Sequence, residues 1–218
     1  MLSFPEEILL LALDDERGLI KEQLKLTLES AFAGAVLMEL ALQNRIDTDH
    51  KNLFIVTREA AGDPLLDAIM DRLQKNREKR SIYQSLVMLT KYSQQIRQAC
   101  LERLIEKKIL KIENKRILWV FALRRYPVVD NCEIKEVRTR LRDLILSDDL
   151  PDPRDAVLIS LLEACGLFGE ILSPKEREQA RGRIAQLAKL DFIGQTLSKL
   201  IRRIHAEVTM IIKESRSV

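Results

Sequence analysis

The sequence predicts an all-α, mainly helical fold: a single compact multi-helix domain with a projecting β-hairpin. Hydrophobic residues make up 46% of the 218 residues, which is enough to bury a core. Only 7 Gly and 6 Pro interrupt the chain, and most segments place apolar residues at helical spacing. We find no repeat, low-complexity tract or flexible linker, so we expect residues 1–218 to form one domain.

The N-terminal third begins with two predicted helices. Ser3 is a predicted N-cap, Pro5 suits the first turn, and Glu6 stands three residues after the cap, as in a capping box. The first helix is apolar nearly all round as far as Leu13, so we expect it to be buried. The second helix is predicted over about residues 21–44, and its small residues around Gly34 allow close approach of another backbone.

The rest of the chain carries further helix signals and one short strand signal. Residues 53–56 are apolar and partly β-branched, which is compatible with a small strand. Further helices are predicted from these segments: a start at Asp63–Pro64, residues 81–91, 94–107, a start at Asp130 or Asn131, residues 154–165, a start at Ser173–Glu176, and a last helix carrying Ile193 to Ile211.

The clearest β signal is a hairpin over residues 109–121. The first predicted arm is 109–112, the polar turn is 113–116, and the second arm is 117–121. The alternation of a strand would place Ile117, Trp119 and Phe121 on one face and Leu118 and Val120 on the other. Both faces of the second arm therefore need apolar surroundings.

Two interpretations of this hairpin stay open. In one, one face packs on the helices and the other meets the acyl boundary of a bilayer, where Trp119 is favoured, while Lys115 and Arg116 near the turn lie by anionic headgroups. Alternatively, both faces around Ile117 are buried inside the protein or in a dimer.

Charge and cysteine usage narrow the class of partner and the compartment. From Lys175 to the end there are ten Lys and Arg against five Asp and Glu, so this segment suits an anionic lipid or nucleic acid, unless it is only a solvated helix face. The three Cys residues are widely spaced without a CxxC pair, and an odd number without a secretory signal indicates a reducing cytoplasm. Because the apolar stretches are too short to span a bilayer, we expect any membrane contact to be peripheral.

The sequence carries no motif of catalysis or of cofactor binding, so we expect no enzyme activity, no metal and no cofactor. His50 and His205 have no Cys or second His at ligand spacing. The acidic clusters at 14–16 and 148–152 lie at helix ends, where turn and capping roles account for them. Cys100 lies on the apolar face of its predicted helix, as a buried structural residue would.

A second function class is a helix-turn-helix protein that binds nucleic acid. The predicted hairpin after helix 94–107 is similar to a wing after a recognition helix. Glu102 and Glu106 share that helix with Arg97 and Arg103, which weakens a phosphate-facing surface, so nucleic acid is not the expected partner.

Several local patterns, in order and across nearly the whole chain, resemble the Golgi phosphoprotein 3 family of peripheral membrane adaptors. The patterns are EILLLALDDERG at 7–18, GAVLMELALQNRI at 34–46, GDPLLD at 62–67, LIEKKIL at 104–110, YPV at 126–128 and DPRDA at 152–156. The resemblance implies a compact helical fold with a projecting hairpin, and binding of phosphatidylinositol 4-phosphate at a membrane surface. In eukaryotic members it implies retention of glycosyltransferases at the cytosolic face of the Golgi. Because the chain begins almost directly at the domain, we expect a prokaryotic-type member.

The resemblance also implies a headgroup pocket at the positions that align with the family's pocket residues. The Trp and the three Arg residues of the family pocket align with Leu24, Ala33, Gln94 and Arg97, so Arg97 is the one retained. Lys21 and Lys25 lie close to Leu24 and either compensate for the lost cations or are ordinary surface lysines. The expected headgroup-binding residues are therefore Arg97, Gln94, Lys21 and Lys25. The expected partners are an anionic membrane lipid, a protein client and a second copy of the chain through the hairpin.

Overall fold

The computed structural model describes residues 1–49, 51–75, 80–117, 121–190, 196, 199–203 and 206. It confirms the mainly helical fold. The helices are α1 (Phe4–Ala12), α2 (Lys25–Leu42), α3 (Pro64–Lys75), α4 (Ile82–Thr90), α5 (Ser93–Glu106), α6 (Cys132–Leu146), α7 (Pro153–Cys165), α8 (Pro174–Gln179) and α9 (Arg181–Leu187). The strands are β1 (Ile46–Thr48), β2 (Asn52–Ile55), β3 (Arg80–Ser81), β4 (Glu113–Ile117) and β5 (Phe121–Arg125).

Helix α1 lies at the centre of the fold, and all nine of its residues are buried, as its apolar sequence predicts. The capping box at Ser3 forms: its backbone N–H donates to Oε2 of Glu6 at 2.7 Å. Glu6 is itself buried and accepts a hydrogen bond from Nζ of Lys107 at 2.8 Å. Because α1 packs against α2, α5 and α6, it serves as the element around which the other helices assemble.

Helix α2 begins with a short 3-10 turn at Glu22–Leu24 and continues to Leu42, close to the predicted range of 21–44. The close approach predicted at its small residues is present at Gly34. A Cβ atom on Gly34 would lie 2.8 Å from Cδ1 of Ile201 and 2.9 Å from Cδ2 of Leu161. A larger residue there would therefore separate α2 from α7 and from the helical residues 199–203.

The strand predicted over 53–56 is β2, shifted by one residue, and it is the middle strand of a small antiparallel sheet. The order is β1-β2-β3, and Ile46 pairs with Ile55. The two outer strands have only three and two residues, which is too short to leave a period-2 pattern in the sequence.

The hairpin exists, but the predicted placement of its arms and turn is wrong. Residues 113–116, predicted as the turn, belong to β4, whose Glu113 pairs with Arg125 at one end and whose Ile117 pairs with Phe121 at the other. The predicted first arm, 109–112, instead precedes the hairpin, because Ile109 and Leu110 are buried in the core. Leu110 forms an isolated bridge with Val128 at the hairpin base.

This register also corrects the predicted alternation along a single arm. Ile117 and Phe121 belong to opposite strands and pair with each other across the ladder, so they are not alternate residues of one strand. Leu118, Trp119 and Val120, which connect the two strands, lie outside the described residues. The membrane and dimer interpretations of the hairpin therefore stay predictions.

The C-terminal half follows the predicted helix starts. Asp130 accepts a hydrogen bond from the backbone N–H of Cys132 at 2.9 Å, at the start of α6. Asp152 caps α7 by accepting from the N–H of Asp155 at 2.7 Å, and Ser173 forms the capping box of α8. Of the predicted last helix, the described residues 196, 199–203 and 206 are helical.

A continuous cluster of buried apolar side chains joins the helices on both sides of α1, from Leu2 through α2, α5 and α7 to Ile201. This continuity supports our proposal that residues 1–218 fold as one domain. Within the described ranges, no helix is both long enough and apolar enough to cross a membrane.

Candidate functional site

A pocket of about 480 Å³ lies between the beginnings of α2 and α5, beside the base of the hairpin. Three parts of the chain that are distant in sequence meet there. The lining residues are Leu19, Ile20, Glu22, Lys25, Leu28, Glu29, Phe32, Ser93, Gln94, Arg97 and Arg124.

Helix α2 supplies the floor of the pocket and one charged wall. Lys25, Leu28, Glu29 and Phe32 recur at intervals of three and four residues, so they share one face of the helix. Leu28 and Phe32 are buried and form an apolar floor, whereas Lys25 and Glu29 are exposed above it. This face therefore places charged groups at the mouth of an apolar recess.

Helix α5 meets the pocket with its N-terminal end. The helix follows Tyr92, which makes no side-chain capping bond, so the first N–H groups of α5 are not satisfied by a cap. Ser93 and Gln94 line the pocket in this first turn, and Arg97 follows one turn later. The positive end of the helix dipole and the guanidinium of Arg97 both favour an anion here.

Arg97 is half-buried and makes no hydrogen bond or ion pair with any residue that the structure describes. Arginine side chains at partly buried positions of this protein usually have carboxylate partners. Arg103 pairs with Asp63 and Arg140 pairs with Asp155. Arg97 is thus a guanidinium whose donors remain available to a ligand.

Arg124 completes the pocket and was missed by the sequence analysis. It lies on β5, paired with Asn114, and its exposed side chain has no ion-pair partner in the described part of the chain. The sequence signal was the Arg124–Arg125 pair directly after an apolar run. Because the predicted hairpin ended at Phe121, Arg124 was not assigned to an element.

The pocket also contains carboxylates. Glu22 forms an ion pair with Lys25 at 2.5 Å, on the solvent side of the pocket, and Glu29 lies one turn further along α2. Lys25, Arg97 and Arg124 against Glu22 and Glu29 leave an excess of one positive charge. Arg97 and Arg124 are therefore the cations that are free to meet an incoming anion.

The structure brings together three of the four residues predicted to bind the headgroup. Gln94, Arg97 and Lys25 line the pocket, and Lys21 does not, because its ammonium pairs with Glu170. Leu24 and Ala33, which align with the Trp and an Arg of the family pocket, are buried and do not line it. Lys21 has a structural role between the N-terminal turn and the turn after α7.

The acidic cluster at 14–16 has structural roles, as its place at a helix end predicts. Asp14 accepts hydrogen bonds from the backbone N–H groups of Glu16 at 3.1 Å and Arg17 at 2.6 Å. Asp15 pairs with Arg138 at 2.8 Å.

The remaining candidates for chemistry that the structure describes show no reactive arrangement. Cys100 is fully buried, and this burial raises its pKa to about 12. Among the residues with described positions, no group of three His, Cys, Asp or Glu side chains is placed to hold a metal ion. His50 and His205 lie outside the described residues.

Comparison with known proteins identifies the family. A search of curated proteins finds no match. The family model described as Golgi phosphoprotein 3 (GPP34) matches residues 4–204, nearly the whole chain, and the match includes every residue that lines the pocket. The chain therefore belongs to the Golgi phosphoprotein 3 family.

Proposed function

We propose that this protein is a peripheral membrane protein that binds an anionic phospholipid headgroup in the pocket between α2 and α5. It acts on a cytoplasmic membrane surface, by binding and without catalysis. The observation that carries this proposal is the half-buried guanidinium of Arg97, which has no partner among the described residues and lies beside Arg124 at the uncapped start of α5.

A phosphate group is the ligand that satisfies this arrangement best. A guanidinium presents its N–H donors in a planar fork, which matches two oxygens of a phosphate. The first N–H groups of α5 add donors with the favourable end of the helix dipole. The apolar floor of Leu28 and Phe32 excludes water from below and so strengthens the charged hydrogen bonds above it.

Family membership points to phosphatidylinositol 4-phosphate as the first headgroup to test. Of the aligned family positions, Gln94 and Arg97 line the pocket here, and Arg97 keeps the cation. Because Leu24 and Ala33 replace the other two pocket residues, we expect weaker discrimination among phosphate-bearing lipids. A role as an adaptor for a protein client follows from the family and is part of the proposal.

Vesicle flotation tests the proposal. We expect flotation with vesicles that contain phosphatidylinositol 4-phosphate or another anionic phospholipid, and none with neutral phosphatidylcholine vesicles. Arg97→Gln should weaken binding about tenfold, since a charge-assisted hydrogen bond to phosphate is worth about 1.5 kcal/mol or more. Arg58→Gln is the matched control, because Arg58 is exposed and does not line the pocket. Equal flotation of the two variants would contradict the proposal.

The same samples decide between lipid and nucleic acid. A duplex-DNA shift assay at the same salt concentration should show no sequence-preferring complex, because Glu102 and Glu106 on α5 weaken a phosphate-facing surface of that helix. Tight, sequence-dependent DNA binding without flotation would favour the helix-turn-helix alternative.

A further inference from the structure

We propose that Arg124 couples the pocket to the hairpin: a bound phosphate bridges Arg97 of α5 and Arg124 of β5, so that occupancy of the pocket sets the orientation of the hairpin. This inference rests on the proposed function of the pocket and adds to it a residue and a mechanical consequence.

The two guanidiniums belong to elements of very different rigidity. Arg97 is held on α5 between the fully buried Ile96 and Cys100, so its backbone belongs to the core. Arg124 is itself exposed on β5, and β4 and β5 pack mainly on each other. Core packing therefore fixes the backbone at Arg97, whereas it constrains the backbone of the Arg124 strand much more weakly.

The base of the hairpin is anchored beside the pocket. The backbone N–H of Tyr126 donates to the carbonyl oxygen of Gly18 at 2.8 Å, and the backbone N–H of Lys111 donates to the carbonyl oxygen of Pro127 at 3.2 Å. Gly18 precedes Leu19 and Ile20, which form a wall of the pocket. The anchor point of β5 and the pocket wall are thus consecutive parts of the same turn.

Arg124 lies two residues from this anchor, which is about 6.6 Å along a strand at about 3.3 Å per residue. A force on the Arg124 side chain therefore acts on the hairpin just beyond its fixed base. A small displacement of β5 at this point becomes a larger displacement at the far end of the hairpin. Without a ligand, Arg97 and Arg124 are like charges in one pocket and repel each other. A phosphate between them reverses that interaction and draws the strand towards α5.

Trp119 offers a direct readout in solution. It is the only Trp in the chain, and in sequence it stands between Ile117 and Phe121, the last paired residues of the hairpin. We would titrate the protein with inositol 1,4-bisphosphate, the soluble headgroup, in the absence of membranes. Calorimetry measures binding, and the steady-state anisotropy of Trp119 measures the motion of the hairpin.

The expected results separate four proteins. The unmodified protein should bind and show an increase in Trp119 anisotropy. Arg124→Gln should bind about fivefold more weakly and show no increase at saturation, and Arg97→Gln should bind about tenfold more weakly. Arg125→Gln is the matched control, because alternation along β5 turns Arg125 away from Arg124 and it does not line the pocket. It should behave like the unmodified protein.

The outcomes distinguish failure of the coupling from failure of the pocket. If inositol 1,4-bisphosphate binds but Arg124→Gln gives the same affinity and the same rise in anisotropy, the coupling is wrong and the pocket stands. Binding without any response of Trp119 in the unmodified protein leads to the same conclusion. If inositol 1,4-bisphosphate does not bind although anionic vesicles do, the bridging headgroup and with it the coupling are wrong. If neither binds, the proposed function itself is wrong. Circular dichroism of each variant confirms that it is folded.

Discussion

Arg103 and Asp63 form a two-point ion pair that joins the last turn of α5 to the beginning of α3. Nη1 of Arg103 lies 2.7 Å from Oδ2 of Asp63, and Nη2 lies 2.5 Å from Oδ1. The same carboxylate accepts hydrogen bonds from the backbone N–H groups of Leu65 at 2.8 Å and Leu66 at 3.1 Å, so it also caps α3. The Asp63 side chain thus caps the beginning of α3 and attaches this helix to α5.

Loss of this pair should destabilise the protein most at neutral pH. Burial favours a higher pKa for Asp63, but the bonds from Arg103 and the two N–H groups outweigh it and hold the pKa below 3.8. A lowered pKa contributes stability above pH 3.8, which is lost as the pH falls through the folded-state value. We expect Arg103→Gln to lower the free energy of unfolding by about 2 kcal/mol at pH 7 and by less at pH 3, measured by urea denaturation.

The control for this prediction is Arg181→Gln, whose exposed partner Glu178 lies at 3.7 Å. Exposed pairs contribute about 0.5 kcal/mol or less, so this variant should unfold almost as the unmodified protein does. An equal decrease in the free energy of unfolding in both variants would mean that the ion pair with Asp63 stabilises the protein no more than an exposed pair does.

Glu7 should make stability fall as the pH rises towards 7. It is buried on α1 with Arg140 at 3.2 Å and Arg154 at 3.4 Å. Burial, the largest effect, raises the pKa of Glu7 from 4.5 to about 7, although Arg154 and Arg140 lower it. A raised pKa stabilises the fold below pH 4.5, and this contribution is lost as the pH rises through about 7. At about 1.4 kcal/mol per pKa unit, the loss is about 3 kcal/mol.

The measurement is urea unfolding of the unmodified protein and of Glu7→Gln from pH 4.5 to 8. The Gln variant keeps a neutral side chain of the same shape, so its stability should change less over this range. Glu136→Gln is the control, since Glu136 is exposed and pairs with the same Arg140 at 3.0 Å. Parallel curves for the protein and for Glu7→Gln would contradict the assignment to Glu7.

Gly18→Ala should disrupt the base of the hairpin. Gly18 has φ +62° and is buried, and a Cβ atom there would lie 2.3 Å from the backbone nitrogen of Pro127. Gly166 has a similar φ of +66°, but a Cβ atom would meet nothing within 4 Å. Gly166→Ala therefore costs the backbone strain alone, about 1–2 kcal/mol. Gly18→Ala adds a clash with backbone atoms and should lower the melting temperature distinctly further.

A melting curve of each glycine variant decides this prediction. Equal melting temperatures would show that the turn at Gly18 moves away from Pro127 at no cost. Trp119 emission of Gly18→Ala should also change, because the hairpin base loses its bond from Tyr126 to Gly18.

Glu29→Gln should strengthen binding to anionic vesicles about threefold, which corresponds to about 0.7 kcal/mol at low salt. Glu29 is exposed at the pocket and repels an incoming phosphate without neutralising a described cation. The gain should shrink at high salt, because ions screen an exposed charge. Glu133→Gln on α6 is the control away from the lining residues. Weaker binding of Glu29→Gln would indicate that the carboxylate accepts a hydrogen bond from the headgroup.

Trp119 should enter the acyl boundary of the membrane when anionic vesicles are added. The apolar run 117–121 contains it, and Trp is favoured at that boundary. We expect a blue shift of its emission, and loss of flotation in a folded Leu118→Ser, Trp119→Ser double variant. An unchanged spectrum, with flotation intact in the double variant, would assign the hairpin to packing or to self-association.

Much of the helical framework was predictable because its signals are local. The capping residues at Ser3, Asp63 and Ser173 act within three residues of sequence, and each begins a helix in the structure. The apolar run of α1 predicted its burial, since no face of that helix is polar enough for water. Gln94 and Arg97 were available from the family patterns and Lys25 from its place beside Leu24, and all three line one pocket.

The hairpin register was not predictable in the same way. A polar run between two apolar runs has the composition of a turn, and residues 113–116 were assigned so. They belong to β4 because Ile109 and Leu110 are buried in the core, so the first strand of the hairpin begins several residues later in the sequence than predicted. Competition between core burial and local turn preference decides such a case, and it involves partners far along the chain.

The sequence by itself thus determined the helix starts, the buried central helix and the presence of Arg97, because periodicity and capping are short-range. Only the tertiary structure decided that Arg124 lines the same pocket as Arg97. It also decided that Lys21 lies outside this pocket and pairs with Glu170, 149 residues away in sequence. Such choices depend on which distant charges folding brings within bonding distance. No local pattern contains that information, because these charged groups become neighbours only after the chain has folded.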